Sequence, residues 1–155
     1  MKQILLFVFL LLFILTGCSG SLPGTNDLKL EIITHQINSW VNLMPGSKPS
    51  FFISGSMKIK NNEDIFIDSV RLLKCEVLQE GKTIYELHPD LRSSVSIIEP
   101  MNPGNERIFT LYLPSGTPIK KELNLEKPVS VDLYLSAFNK VKQHKIDSIH
   151  VMKTY

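Results

Sequence analysis

Two cysteines, Cys18 and Cys75, are all that this 155-residue chain carries. That excludes the multi-bridge framework on which small secreted domains depend. Charge of one sign is lacking too: 17 Lys and Arg stand against 15 Asp and Glu, a formal net charge of +2. The densest basic stretches, Lys120-Lys121 and Lys140-Val141-Lys142, are too short and diluted for a nucleic-acid surface. No segment past the N-terminus keeps the 3.6-residue period of an amphipathic helix, so strand–helix alternation and a parallel sheet are not expected. Internal repeats are missing as well, which sets aside solenoids and propellers.

The combinations that carry chemistry are equally sparse. There is no Gly-x-Ser-x-Gly, no phosphate-cradling glycine loop and no Asp-rich loop with enough oxygens for calcium. Carboxylates fall singly, and Glu63-Asp64 lies in a turn-forming stretch where Asx geometry accounts for it. The four histidines, His35, His88, His144 and His150, never approach the HxH or HxxxH spacing of a metal site. The chain is therefore expected not to be an enzyme, and no cofactor is called for.

What is present starts at the N-terminus. Lys2 supplies a positive charge, Ile4 to Leu15 is unbroken and apolar, and Leu15-Thr16-Gly17-Cys18 follows. An apolar stretch of this length suits a secretory signal and is too short to span a bilayer. Leu15-Thr16-Gly17-Cys18 resembles the lipobox of bacterial prolipoproteins. The resemblance implies cleavage before Cys18, diacylation of its thiol and acylation of the new amino group. An ordinary cleaved signal with a chance cysteine and an uncleaved signal anchor are the competing readings. Ser19 to Asn26 is small, polar and turn-rich, the composition of a tether.

The expected organisation is a cleaved signal over 1–17, a lipidated Cys18 and tether over 18–27, and a folded domain over 28–155. Its polypeptide would lie outside the cytoplasm, held to a membrane through Cys18. Ser19 resembles the residue that sends such lipoproteins to an outer membrane. In an organism without one, the outer face of the cytoplasmic membrane is the expected place.

The domain reads as strands: short β-branched or aromatic segments bounded by Gly, Pro, Asn, Asp or Ser. Leu28 opens the first, which resumes through Ile37 to Val41. Phe51–Lys60 is the next, then Ile65–Leu78 as one bulged strand or two short ones. A turn at Gln79–Lys82 leads into Thr83–Leu87, and Ser94–Ile98 follows. Arg107–Leu113 sets Ile108, Thr110 and Tyr112 against Phe109, Leu111 and Leu113, and Ile119–Leu123 is the one candidate helical turn. Val129, Val131, Leu133 and Leu135 alternate with polar neighbours, and a last strand runs from His144 to Met152. The expected fold is all-β, a single antiparallel sandwich of about seven to nine strands, with a small barrel as runner-up.

Gly55-x-Met57-x-Ile59-x-Asn61 and Pro103-Gly104-Asn105-Glu106-Arg107-Ile108-Phe109-x-Leu111-x-Leu113-Pro114 resemble immunoglobulin-like or fibronectin-like modules of bacterial envelope proteins. The resemblance implies a Pro-Gly turn before a strand near the middle of the sandwich. It covers roughly residues 51–114 and implies no function. The Cys…Trp…Cys core of antibody-type domains is absent.

For recognition, the richest segment joins Trp40, Met44, Pro45 and Pro49 to Phe51-Phe52, a mixture that supplies interface anchors. Trp40, Met44 and Phe51 are the candidate contacts for an envelope protein or glycan. The alternative is that Trp40 packs on the core and Phe51 and Phe52 point to opposite faces. Open edge strands offer docking by strand addition. His150-Val151-Met152 puts a His and a soft Met on one face of a strand, which suits Cu(I). It is similar to the His-x-Met ending of periplasmic copper chaperones, although the upstream His and Met of that family's spacing are absent. A copper-trafficking role on His150 and Met152 is one alternative function; an envelope enzyme with an unrecognised site is the other. Cys75, inside an apolar run, is expected to be buried as a small hydrophobe, with an intermolecular disulfide as the alternative.

Overall fold

The computed structural model describes residues 28–94 and 99–155. The signal, Cys18 and tether over 1–27, and all but the first residue of the strand expected at Ser94–Ile98, lie outside the described residues. Among the described residues ten strands form: β1 Leu30–Asn42, β2 Ser50–Asn61, β3 Arg71–Gln79, β4 Lys82–Leu87 and β5 Asp90–Ser93, then β6 Glu106–Tyr112, β7 Thr117–Pro118, β8 Val129–Ala137, β9 Lys140–Ile149 and β10 Val151–Thr154.

These make two open sheets packed as an all-β sandwich. One sheet runs β10-β1-β2-β6-β5, with β7 also on β2; the other runs β4-β3-β8-β9. The count exceeds the expected seven to nine because β5 and β7 are short and the last segment divides. That segment runs in one sheet as β9, bulges at Ser148 (φ +60°) with Ile149 still paired to Val129, and after His150 joins the other sheet as β10. There β10 pairs parallel with β1, so the sandwich is not wholly antiparallel.

Period-two alternation builds the core. Along β2 the odd residues point inward, so Phe51, Ile53, Met57 and Ile59 are all fully buried. Gly55 is the odd position without a side chain. A Cβ there would lie 2.3 Å from Gln36 O and 2.3 Å from Ile37 Cδ1, so the space belongs to β1. Along β1 the inward set changes from even to odd at a bulge between Thr34 and Gln36, which is the interruption visible in the sequence. Leu111 from β6, Cys75 and Val77 from β3, and Val131, Leu133 and Leu135 from β8 complete the interior. Each such side chain stabilises the fold by about 1.5–3 kcal/mol relative to exposure.

Two local expectations are corrected. Ile65–Leu78 is not strand throughout, since only Arg71–Gln79 belongs to a ladder. Ile65 and Phe66 are exposed in a loop, and Ile67 makes one isolated bridge with Met101. Ile119–Leu123 forms no helix; Leu123 N closes a single turn on Lys120 O.

The sandwich has two unlike ends. Leu28, the 61–70 loop, the turn at Pro103-Gly104 and the β8–β9 hairpin share one, tied together by Asn62 N to Lys29 O, Gly104 N to Asn61 O and Lys140 Nζ to Glu63 Oε1. The loop after β1 and the C-terminal strand lie at the other, where Leu43 N donates to Thr154 O.

Candidate recognition face

The outer face of the five-strand sheet carries the aromatic segment singled out above. Trp40 and Phe52 are opposite each other in the β1–β2 register, and their rings stack 5.3 Å apart with planes 7° from parallel. Met152 is opposite Trp40 on the other side, half exposed. On the far flank a Cβ at Gly116 would lie 2.4 Å from Phe52 Cζ, so the Phe52 ring rests on bare backbone there. Trp40 and Phe52 are part-buried, so the stack is fixed yet reachable.

Phe51 faces the other way. It is fully buried and stacks on Tyr85 at 4.9 Å, so the expectation that it contacts a partner is corrected: alternation commits it to the core. Met44 is exposed in the adjoining turn, which is closed by Met44 N to Asn42 Oδ1 and Ser47 Oγ to Met44 O. Gly46 supplies the positive φ of +85° that this turn requires.

Next to the stack come two rows of uncharged hydrogen-bonding groups across β1, β2 and β6. Asn38, Ser54 and Tyr112 are in register, followed by Gln36, Ser56 and Thr110. Both rows continue onto β5 as charged residues, Asp90 in register with Tyr112 and Arg92 with Thr110. Asp90 and Arg92 pair at 2.8 Å on the edge strand, and Lys58 pairs with Glu106 at 3.1 Å nearer the N-terminal end. The outer face of the second sheet differs sharply. Lys74 Nζ lies 2.6 Å from Glu76 and 3.2 Å from Glu86 and stands over the Tyr134 ring, whose hydroxyl donates to Glu76. The hydrogen bond from Lys74, ahead of every other influence, holds the Glu76 carboxyl below its ordinary value. Asp132 is buried beside this network; its Oδ2 accepts from Gln143, and Oδ1 has no partner among the described residues.

At the seam between the sheets, the inward positions of edge strand β9 include Lys140, Lys142 and His144. Charge pointing inward on an edge discourages further strand pairing. His144 Nε2 is 2.9 Å from Thr34 Oγ1, and burial, helped by Lys142, lowers its pKa.

His150 and Met152 line one groove with His35 and Asp147. Among the described residues, no group of three or more His, Cys, Asp or Glu is placed to hold a metal ion. Cys75 is a free, fully buried thiol, and burial pushes its pKa up to about 12, the reverse of what a nucleophile needs. Among the described residues no helix is long and apolar enough to cross a membrane. Sequence reading missed Phe52 as the partner of Trp40; the signal was the alternation itself, which sends one of two adjacent phenylalanines outward. Compared with family models, curated proteins and solved structures, the chain matches none.

Proposed function

We propose that the protein is a lipid-anchored, non-catalytic binding module of a bacterial cell envelope, held to a membrane through Cys18. It would meet an envelope protein or glycan with the outer face around Trp40 and Phe52. The observation that carries the reading is the Trp40–Phe52 stack, set beside rows that are uncharged across β1, β2 and β6 and end in the Asp90–Arg92 ion pair on β5. A preorganised aromatic pair loses little conformational freedom on binding, and neutral hydroxyl and amide groups are cheaper to desolvate than ions. The lipobox supplies the location, and the charge-laced second sheet offers a solvated contrast.

A photoreactive side chain placed at position 40 in the full chain, in living cells, tests this. A discrete crosslinked protein or glycan, absent when the same group stands at Lys145 on the other sheet, is the expected result. Trp40→Ala should weaken capture by a group placed at Met44. Equal, diffuse crosslinking from positions 40 and 145 would remove the recognition face.

A further inference from the structure

The end of the sandwich at which Leu28, the first described residue, lies is apolar at its tips. Ile65 and Phe66, 56% and 54% exposed, stand in the loop after β2, and Phe138, 42% exposed, tips the β8–β9 hairpin. These tips are built rather than loose. The fully buried Asn61 side chain donates to Ile65 O at 2.9 Å and Met101 O at 2.8 Å and accepts from Glu63 N, while Ile67 and Met101 exchange two backbone hydrogen bonds.

Phe138 adds an independent sign. It occupies the first place of a two-residue turn at φ +50°, with Asn139 at +60°, where Asn or Gly is the usual choice. A bulky ring held in left-handed backbone and offered to solvent is a strained arrangement that points to use at the surface.

We propose that this end is a membrane-docking surface: Ile65, Phe66 and Phe138 enter the boundary of the bilayer that anchors the chain, so that the domain stands on it. The inference rests on the lipidated-Cys18 reading. Ten residues, 18–27, separate that cysteine from Leu28. Such a segment spans about 17 Å as a coil and at most about 36 Å fully extended. A link this short gives the tips an effective concentration on the order of millimolar at the membrane, so a few apolar side chains suffice. Around them Lys29, Asp64, Asp68 and Arg71 are exposed and mixed in sign. The attraction is therefore apolar and does not select anionic lipid. The ten-residue rise of β1 from Leu30 to Trp40 then lifts Trp40 roughly 33 Å away from the lipid, toward a partner.

The full, processed chain in phosphatidylcholine vesicles provides the test. Phe66→Cys, and separately Lys48→Cys at the opposite end, receive an environment-sensitive fluorophore; Cys75, buried with a raised pKa, stays unlabelled. Nitroxide-bearing lipid should quench the label at position 66 about twofold or more beyond that at 48, in low and high salt alike, as for a group set about 5–10 Å into the boundary. Ile65→Cys should behave like Phe66→Cys. Equal, weak quenching at positions 66 and 48 on a chain whose mass shows the acyl groups would overturn the docking and leave the anchor standing. Burial of position 66 against a second copy, seen as self-quenching without lipid quenching, would also overturn it. A chain without acyl mass would remove both anchor and docking.

Discussion

Lys140 Nζ lies 3.3 Å from Oε1 of Glu63, and the same oxygen accepts the backbone N–H of Lys29 at 3.0 Å. One nearly buried carboxylate therefore joins the start of β1, the loop after β2 and the first residue of β9, which belong to different sheets. The hydrogen bond from Lys29, ahead of the opposing effect of burial and the pull of Lys140, holds the Glu63 carboxyl below its ordinary 4.5. A carboxyl lowered in this way contributes stability that is complete above that value and is lost as pH falls through the folded-state pKa. Glu63→Ala should cost about 1–2 kcal/mol near neutral pH and flatten the acid limb of a urea-midpoint profile. An unchanged limb would show that other carboxylates govern acid unfolding.

His144 works in a higher window. Burial first and Lys142 second keep its imidazole neutral below the ordinary 6.5, while Thr34 faces its Nε2. Such a group contributes stability that is complete above 6.5 and is lost as pH falls from there toward the lower folded-state value. His144→Gln should remove the part of the slope lying below 6.5, measured by chemical denaturation between about pH 8 and about pH 5. A slope identical to the parent's would contradict this.

Phe138→Asn should stabilise the protein in solution. Left-handed backbone costs a bulky residue about 1–2 kcal/mol, and Asn tolerates it. A gain of about 0.5–1 kcal/mol, read as a rise of about 2–4 °C in Tm, is expected. The same change should weaken lipid quenching at position 66, so stability and docking would move in opposite directions. A fall in Tm would mean that the ring packs usefully where it stands.

Cys75 should resist alkylation near pH 8 in the folded protein and react at once on unfolding, since burial holds its thiol pKa at about 12. Cys75→Ser places a hydroxyl among Val77, Leu133 and their neighbours and should cost about 1–3 kcal/mol. Rapid labelling of the native state would refute the burial.

Where alternation was clean, the sequence was easy to read. Phe109, Leu111 and Leu113 are buried and Ile108, Thr110 and Tyr112 exposed, as their spacing requires, and the turns at Glu80-Gly81 and Pro103-Gly104 fall where sequence placed them. The division of the last segment was hidden because neither the bulge at Ser148 nor the change of sheet at His150 is marked by Gly or Pro. Ile65-Phe66-Ile67 has strand composition, yet Ile67 alone makes a bridge, an isolated one to Met101, which no local pattern reveals. Trp40 as a surface residue was legible only as one of two readings. Its pairing with Phe52 depends on a register set by the β1 bulge, a long-range feature.

Everything functional depends on the first mature residue, and intact-mass and peptide spectra of the protein recovered from membranes address it most directly. A chain beginning at Cys18 and carrying thioether-linked diacylglycerol is the predicted result. A chain that begins elsewhere, or a Cys18 without acyl groups in a soluble fraction, would contradict the account.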